Sequence, residues 1–97
     1  MRKSLEFSQW VESDLDAIAD YIAEDSPERA DRFLSEIEQK ILRIAEQPLL
    51  YQLRREIAEN ARLAVDGRYV ILFSVMGATV RIERIVYGGR ELPPLLQ

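Results

Sequence analysis

The chain contains neither cysteine nor histidine. Without cysteine there are no disulfides and no thiolate metal ligands, and a reducing compartment is compatible. Without histidine the commonest general base and the commonest metal ligand are missing, and the common hydrolytic triads cannot be built. No apolar run is long enough to span a bilayer, and the N-terminal MRKSLEFSQW lacks the apolar core of a secretory signal. No metal motif, phosphate loop or nucleophile–base pair is present either. The expectation is a cytoplasmic protein with no membrane partner, no metal and no cofactor.

What is present suits a small soluble domain. The 97 residues are 47% apolar and 31% charged, which predicts one domain over residues 1–97 with one modest core. The net charge of −4 is unevenly spread. Residues 1–50 hold twelve acidic against six basic side chains, and residues 51–97 hold five against seven. Overall acidity argues against strong non-specific nucleic-acid binding. The basic C-terminal half leaves room for a local anionic or acidic partner.

The hydrophobic pattern changes period along the chain. Residues 3–7 alternate and read as a short strand with Leu5 and Phe7 inward. Ser8 follows as a candidate helix cap. Val11, Leu15, Ile18 and Ile22 then mark one face of an amphipathic helix. The break at Ser26-Pro27 carries a capping serine, a proline suited to the first helical position, and Glu28 at the positive helix end. A second helix follows, with Ala30, Phe33, Leu34, Ile37, Ile41 and Ile44 on one face, and stops before Pro48. Residues 48–60 hold a short helix or an irregular crossing loop.

From residue 61 the period is two. Asp66-Gly67 and Gly77-Ala78 are hairpin signals, so strands are expected at 61–66, 69–76 and 79–87. A turn at Gly77-Ala78 pairs Met76 with Thr79. Continued without a break, that register sets Phe73 against Ile82, Ile71 against Arg84 and Tyr69 against Val86 on an apolar face. The other face then carries Ser74 with Arg81, Leu72 with Glu83, Val70 with Ile85 and Arg68 with Tyr87. The order strand, helix, helix, three strands describes an α+β domain, with an antiparallel helical hairpin packed on an antiparallel sheet of three to four strands.

Few residues carry chemistry. Glu12, Asp16 and Asp20 are each one helical turn apart and read as a solvated face. Arg62, Arg68, Arg81, Arg84 and Arg90 remain, with Tyr69 and Tyr87. Arg84 falls on the apolar row, where an arginine needs a carboxylate partner, so it reads as a structural ion pair with the acidic helices. Arg81 on the open face reads first as a solubility charge. Arg90 follows the Gly88-Gly89 pair, which lets its backbone swing over the end of the sheet. Both a wet chain end and a partner contact fit Arg90.

Taken together, these segments resemble the RelE/ParE superfamily, the toxins of type II toxin–antitoxin operons. VESDLDAIADYIAEDSPERADRFLSEIEQKILRIAEQP is similar to the family's helical hairpin. GRYVILFSV is similar to its central strand, and VRIERIVYGGREL to its last strand and the arginine after it. The resemblance implies a microbial-ribonuclease-like α+β fold, growth inhibition, and neutralisation by a cognate antitoxin. In RelE-like members it implies ribosome-dependent mRNA cleavage through basic residues and a C-terminal tyrosine or histidine. Only Arg90 matches that set: Val70 stands where an arginine is found, Tyr87 where a histidine is frequent, and ELPPLLQ follows Arg90. ParE-like members fit better, and in them the target is DNA gyrase, poisoned without covalent chemistry by the toxin. This implies a non-enzymatic, plasmid-stabilising toxin whose partner contacts are Arg90, Tyr87, Arg81 and Arg68. The alternatives are a RelE-like ribonuclease acting on ribosome and mRNA, and a non-toxic interaction module. A homodimer stays open.

Overall fold

The structure, a computed structural model, describes residues 4–88. Strand β1 (Ser4–Phe7) leads into helices α1 (Val11–Ala23) and α2 (Pro27–Glu46). A single 3-10 turn (Pro48–Leu50) and a two-residue strand β2 (Gln52–Leu53) lie in the first half of the crossing that sequence left open. Strands β3 (Ala61–Asp66), β4 (Tyr69–Met76) and β5 (Thr79–Tyr87) follow. The fold is α+β, two helices packed on one sheet in the order β1-β5-β4-β3-β2.

Two expectations about the sheet are corrected. It has five strands, not three to four. It is mixed, because β1 runs parallel to β5, pairing Ser4 with Thr79 and Phe7 with Ile82. The helices between β1 and β5 supply the long crossover that a parallel pair needs.

Ser26 caps α2 through its hydroxyl, which accepts from the Arg29 N–H at 3.3 Å, with Pro27 at the first helical position. Ser8 is not the cap of α1. The helix begins at Val11, and the Ser8 hydroxyl instead accepts from the Trp10 N–H while donating to the Glu83 carbonyl of β5. It ties the entry of α1 to the sheet.

The core lies between the helices and one sheet face. Phe33, Ile37, Ile41 and Ile44 of α2 and Val11 of α1 meet Ala64, Ile71, Phe73, Val80, Ile82 and Ile85. Leu34, expected on the buried stripe, is exposed.

Both hairpins turn on a two-residue loop with glycine first. The loops are Gly67-Arg68 and Gly77-Ala78, with φ of 62° and 59° at the glycines and, among the described residues, no positive φ at any other residue type. That is the type II′ requirement. The β4–β5 register runs as expected from Met76–Thr79 through Phe73–Ile82 and then slips. Glu83 is an extra residue, a β-bulge, so Leu72 faces Arg84, Ile71 faces Ile85, Val70 faces Val86 and Tyr69 faces Tyr87. The expected partners of Arg84, Leu72, Ile71, Val70, Tyr69 and Arg68 beyond the bulge are therefore wrong by one. The physical cause is that Ile82 and Ile85 both belong to the core, three residues apart, and a period of two cannot place both on one face without an extra residue.

Candidate partner-binding groove

The bulge shapes the region beside α1. Strand β1 ends at Phe7, opposite Ile82, and leaves the rest of β5 without its neighbour. There the Asp14 side chain of α1 accepts from the Ile85 N–H at 3.0 Å through Oδ2. The Arg84 guanidinium donates to the same carboxylate from Nε and from one terminal nitrogen, each at 2.8 Å. This two-point pair raises the Arg84 pKa, the hydrogen bond to Asp14 outweighing partial burial. The Trp10 ring lies 5.7 Å from the guanidinium carbon on another side.

Next to this pair, α1 and the end of β5 enclose an open groove of about 680 Å³. Helix α1 contributes Asp14, Ala17, Ile18 and Tyr21. Strand β5 contributes Arg84 through Tyr87, and the β3–β4 turn contributes Arg68 and Tyr69. Its floor is apolar and its ends carry charge. Two of its aromatic residues pack together, Tyr69 on Tyr87 with centroids 6.0 Å apart, and Phe33, outside this groove's lining, packs on Tyr69 at 5.0 Å. Tyr87 is 43% exposed and Tyr21 73%. A second, more polar groove borders it through Tyr21, Arg68 and Tyr69, and adds Arg29, Arg32 and Asp66.

Backbone contacts aim Arg68 into this region. It is the second loop residue of the Gly67 turn, and its carbonyl accepts from the Gly88 N–H at 2.8 Å. Gly88 comes so close that an added Cβ would stand 2.9 Å from Val70 Cγ2 and 3.3 Å from the Arg68 carbonyl.

The structure thus brings Arg68 and Tyr87 together on one groove and places Arg84 at its end, bound to Asp14. Arg81 lines neither groove. It meets Glu83 at 3.3 Å and Glu6 at 3.7 Å. Glu83 in turn accepts from the Ser74 hydroxyl. Arg90 lies outside the described residues. Asp14, Tyr21 and Gly88 are the residues sequence reasoning left unassigned. Asp14 had a signal: with Val11, Leu15 and Ile18 it occupies the inward stripe of α1, where a carboxylate requires a partner. Among the described residues no group of three or more acidic side chains is arranged to hold a metal ion. No described helix is long and apolar enough to cross a membrane.

The model of the family described as ParE toxin of type II toxin-antitoxin system, parDE, matches residues 5–92. Among solved structures, one from a chromosomal ParDE toxin–antitoxin system of P. aeruginosa aligns with a TM-score of 0.75 at 24% identity, over 89% of this chain and 96% of that one. The toxin–antitoxin complex RelBE2 from Mycobacterium tuberculosis contains a chain that aligns with a TM-score of 0.64 at 23% identity, over 90% of this chain and 92% of that one. At these identities the likeness is one of fold. No curated protein sequence matches the chain.

Proposed function

The chain belongs to the ParE toxin family of type II toxin–antitoxin systems, and from that premise we propose that it inhibits growth by binding and poisoning DNA gyrase, held off by a cognate antitoxin. The observation that carries the choice of a binding mechanism is the state of the sheet arginines. Cleaving a phosphodiester requires a proton acceptor, a proton donor and cations for the charge that develops on phosphorus. Here Arg84 is committed to Asp14, and Arg81 to Glu83 and Glu6. The Arg62 guanidinium donates to the Tyr51 carbonyl. Among the described sheet arginines Arg68 remains, on an exposed turn beside tyrosines, in a chain with no histidine. That set suits protein recognition better than phosphoryl chemistry.

The groove between α1 and β5 supports an antitoxin partner. An amphipathic segment docking there sets apolar anchors against Ile18, Tyr21 and Val86, with its charges at the rim near Arg68. The two solved structures described above come from toxin–antitoxin systems. The test is induction of this chain alone in a bacterium, followed by co-induction of the neighbouring antitoxin gene. Growth arrest with filamentation and DNA-damage signalling, relieved by the antitoxin, is expected. Arrest with translation-dependent loss of mRNA, and no DNA-damage signal, would favour a RelE-like ribonuclease instead.

A further inference from the structure

Strand β1 covers β5 only from Thr79 to Ile82. Beyond it, Glu83 to Tyr87 have β4 on one side and, among the described residues, no strand on the other. That open stretch ends in Ile85, Val86 and Tyr87, β-branched and aromatic residues that favour strand pairing. An uncovered edge of this composition is a template for a further strand. Two antiparallel copies of it are also self-complementary, as a two-fold interface requires.

Two side chains stand where the edge opens. The Ser8 hydroxyl donates to the Glu83 carbonyl, and the Asp14 carboxylate accepts from the Ile85 N–H. The Asp14 side chain is only 11% exposed, and the two-point contact from Arg84 fixes its orientation. Covering an exposed edge is one of the devices that prevent edge-to-edge pairing, and here a side-chain oxygen already occupies the Ile85 N–H. We propose that Asp14 guards the open edge of β5. It occupies the hydrogen bond through which a second copy of this chain would add its own β5, and Arg84 holds it in place. The guard also keeps Val86 and Tyr87 available to the groove rather than to another copy. Nothing in this inference depends on which target the toxin poisons.

The test compares four chains by sedimentation velocity across a concentration series, with amide exchange read at Ile85. They are the parent, Asp14→Asn, Asp14→Ala, and Asp14→Ala combined with Val86→Lys. Asparagine keeps an oxygen acceptor for the Ile85 N–H, so Asp14→Asn should sediment as the parent does and keep Ile85 protected. Asp14→Ala should self-associate at concentrations where the parent does not, with Ile85 exchanging roughly tenfold faster at low concentration, as loss of one hydrogen bond implies. Adding Val86→Lys, a charge on the same edge, should return the double variant to parental sedimentation. The proposal is overturned if Asp14→Ala sediments as the parent, if Asp14→Asn associates equally, or if the lysine has no effect. Should circular dichroism show Asp14→Ala unfolded, Asp14→Asn decides. An Ile85 amide exchanging there as fast as in an unfolded chain, beside protected β5 neighbours, overturns the proposal, and retained protection supports it.

Discussion

Gly88 donates its backbone N–H to the carbonyl of Arg68, at 2.8 Å, across the end of the sheet. The contact joins the last residue described after β5 to the turn that opens β4. It leaves no room for a side chain, since a Cβ at Gly88 would meet Val70 Cγ2 at 2.9 Å. Gly88→Ala should therefore destabilise the fold by about 1–3 kcal/mol, the usual cost of overpacking. Gly67→Ala meets no steric contact but carries a φ of 62°, so its cost comes from backbone strain. Urea denaturation of both variants measures these effects. A Gly88→Ala midpoint equal to the parent's would show that Val70 yields freely.

Arg84 and Arg90 should separate stability from toxicity. Arg84→Ala leaves the Asp14 carboxylate, nearly nine-tenths buried, with the Ile85 N–H as its remaining donor among the described residues. A loss of roughly 1–3 kcal/mol or more is expected. If Arg90 is a partner contact, Arg90→Ala should abolish growth inhibition while leaving the melting curve close to the parent's. Growth arrest and melting curves for the two variants, measured side by side, make the comparison. If Arg90→Ala remains fully toxic, the target contacts belong to Arg68 and Tyr87 on the groove.

Glu56 offers a check on the electrostatics. Its pKa is lowered, first by the hydrogen bond from the Arg54 guanidinium and then by its own backbone N–H. A carboxylate lowered on folding stabilises above its unfolded pKa, and that contribution is lost as pH falls through the folded value. The group is exposed, so the effect on stability is small and screened by salt. A carboxyl-carbon NMR titration should place the Glu56 midpoint below the ordinary glutamate value, and Arg54→Ala or high salt should move it upward. An unmoved midpoint in Arg54→Ala would remove the guanidinium as the cause.

The antitoxin should stabilise the toxin by mass action. At a free concentration near 100 times Kd, a partner binding only the folded chain adds about 2.7 kcal/mol. Thermal melts with increasing antitoxin should show a rising Tm, and Tyr21→Asp in the groove should weaken that rise without lowering the Tm of the toxin alone. A co-expressed neighbour that neither co-purifies nor protects would remove the groove from the antitoxin reading.

The parts legible in sequence are those in which a local rule and the fold agree. The 3.6-residue stripes of α1 and α2 and the Ser26-Pro27 start are local signals. Gly77-Ala78 fixes the first pairs of β4 with β5. The parallel pairing of β1 is not local, because four residues carry no mark of which distant strand they join. The bulge at Glu83 was readable in principle, from Ile82 and Ile85 at a spacing of three. It matters because it moves Arg84 off the row of Ile71 and frees the Ile85 N–H for Asp14. The hairpin register already set Arg68 near Tyr87, but the groove they share needs α1 as its other wall and the Gly88 contact, which no spacing shows.

The most direct measurement is a supercoiling assay with purified toxin, gyrase and relaxed plasmid, alongside a translating-ribosome assay on the same preparation. Inhibited supercoiling with accumulation of gyrase-linked broken DNA, intact mRNA, and full relief by the antitoxin is the predicted result. Unimpaired supercoiling together with mRNA cut on translating ribosomes would contradict the gyrase reading and assign the chain to ribonuclease chemistry.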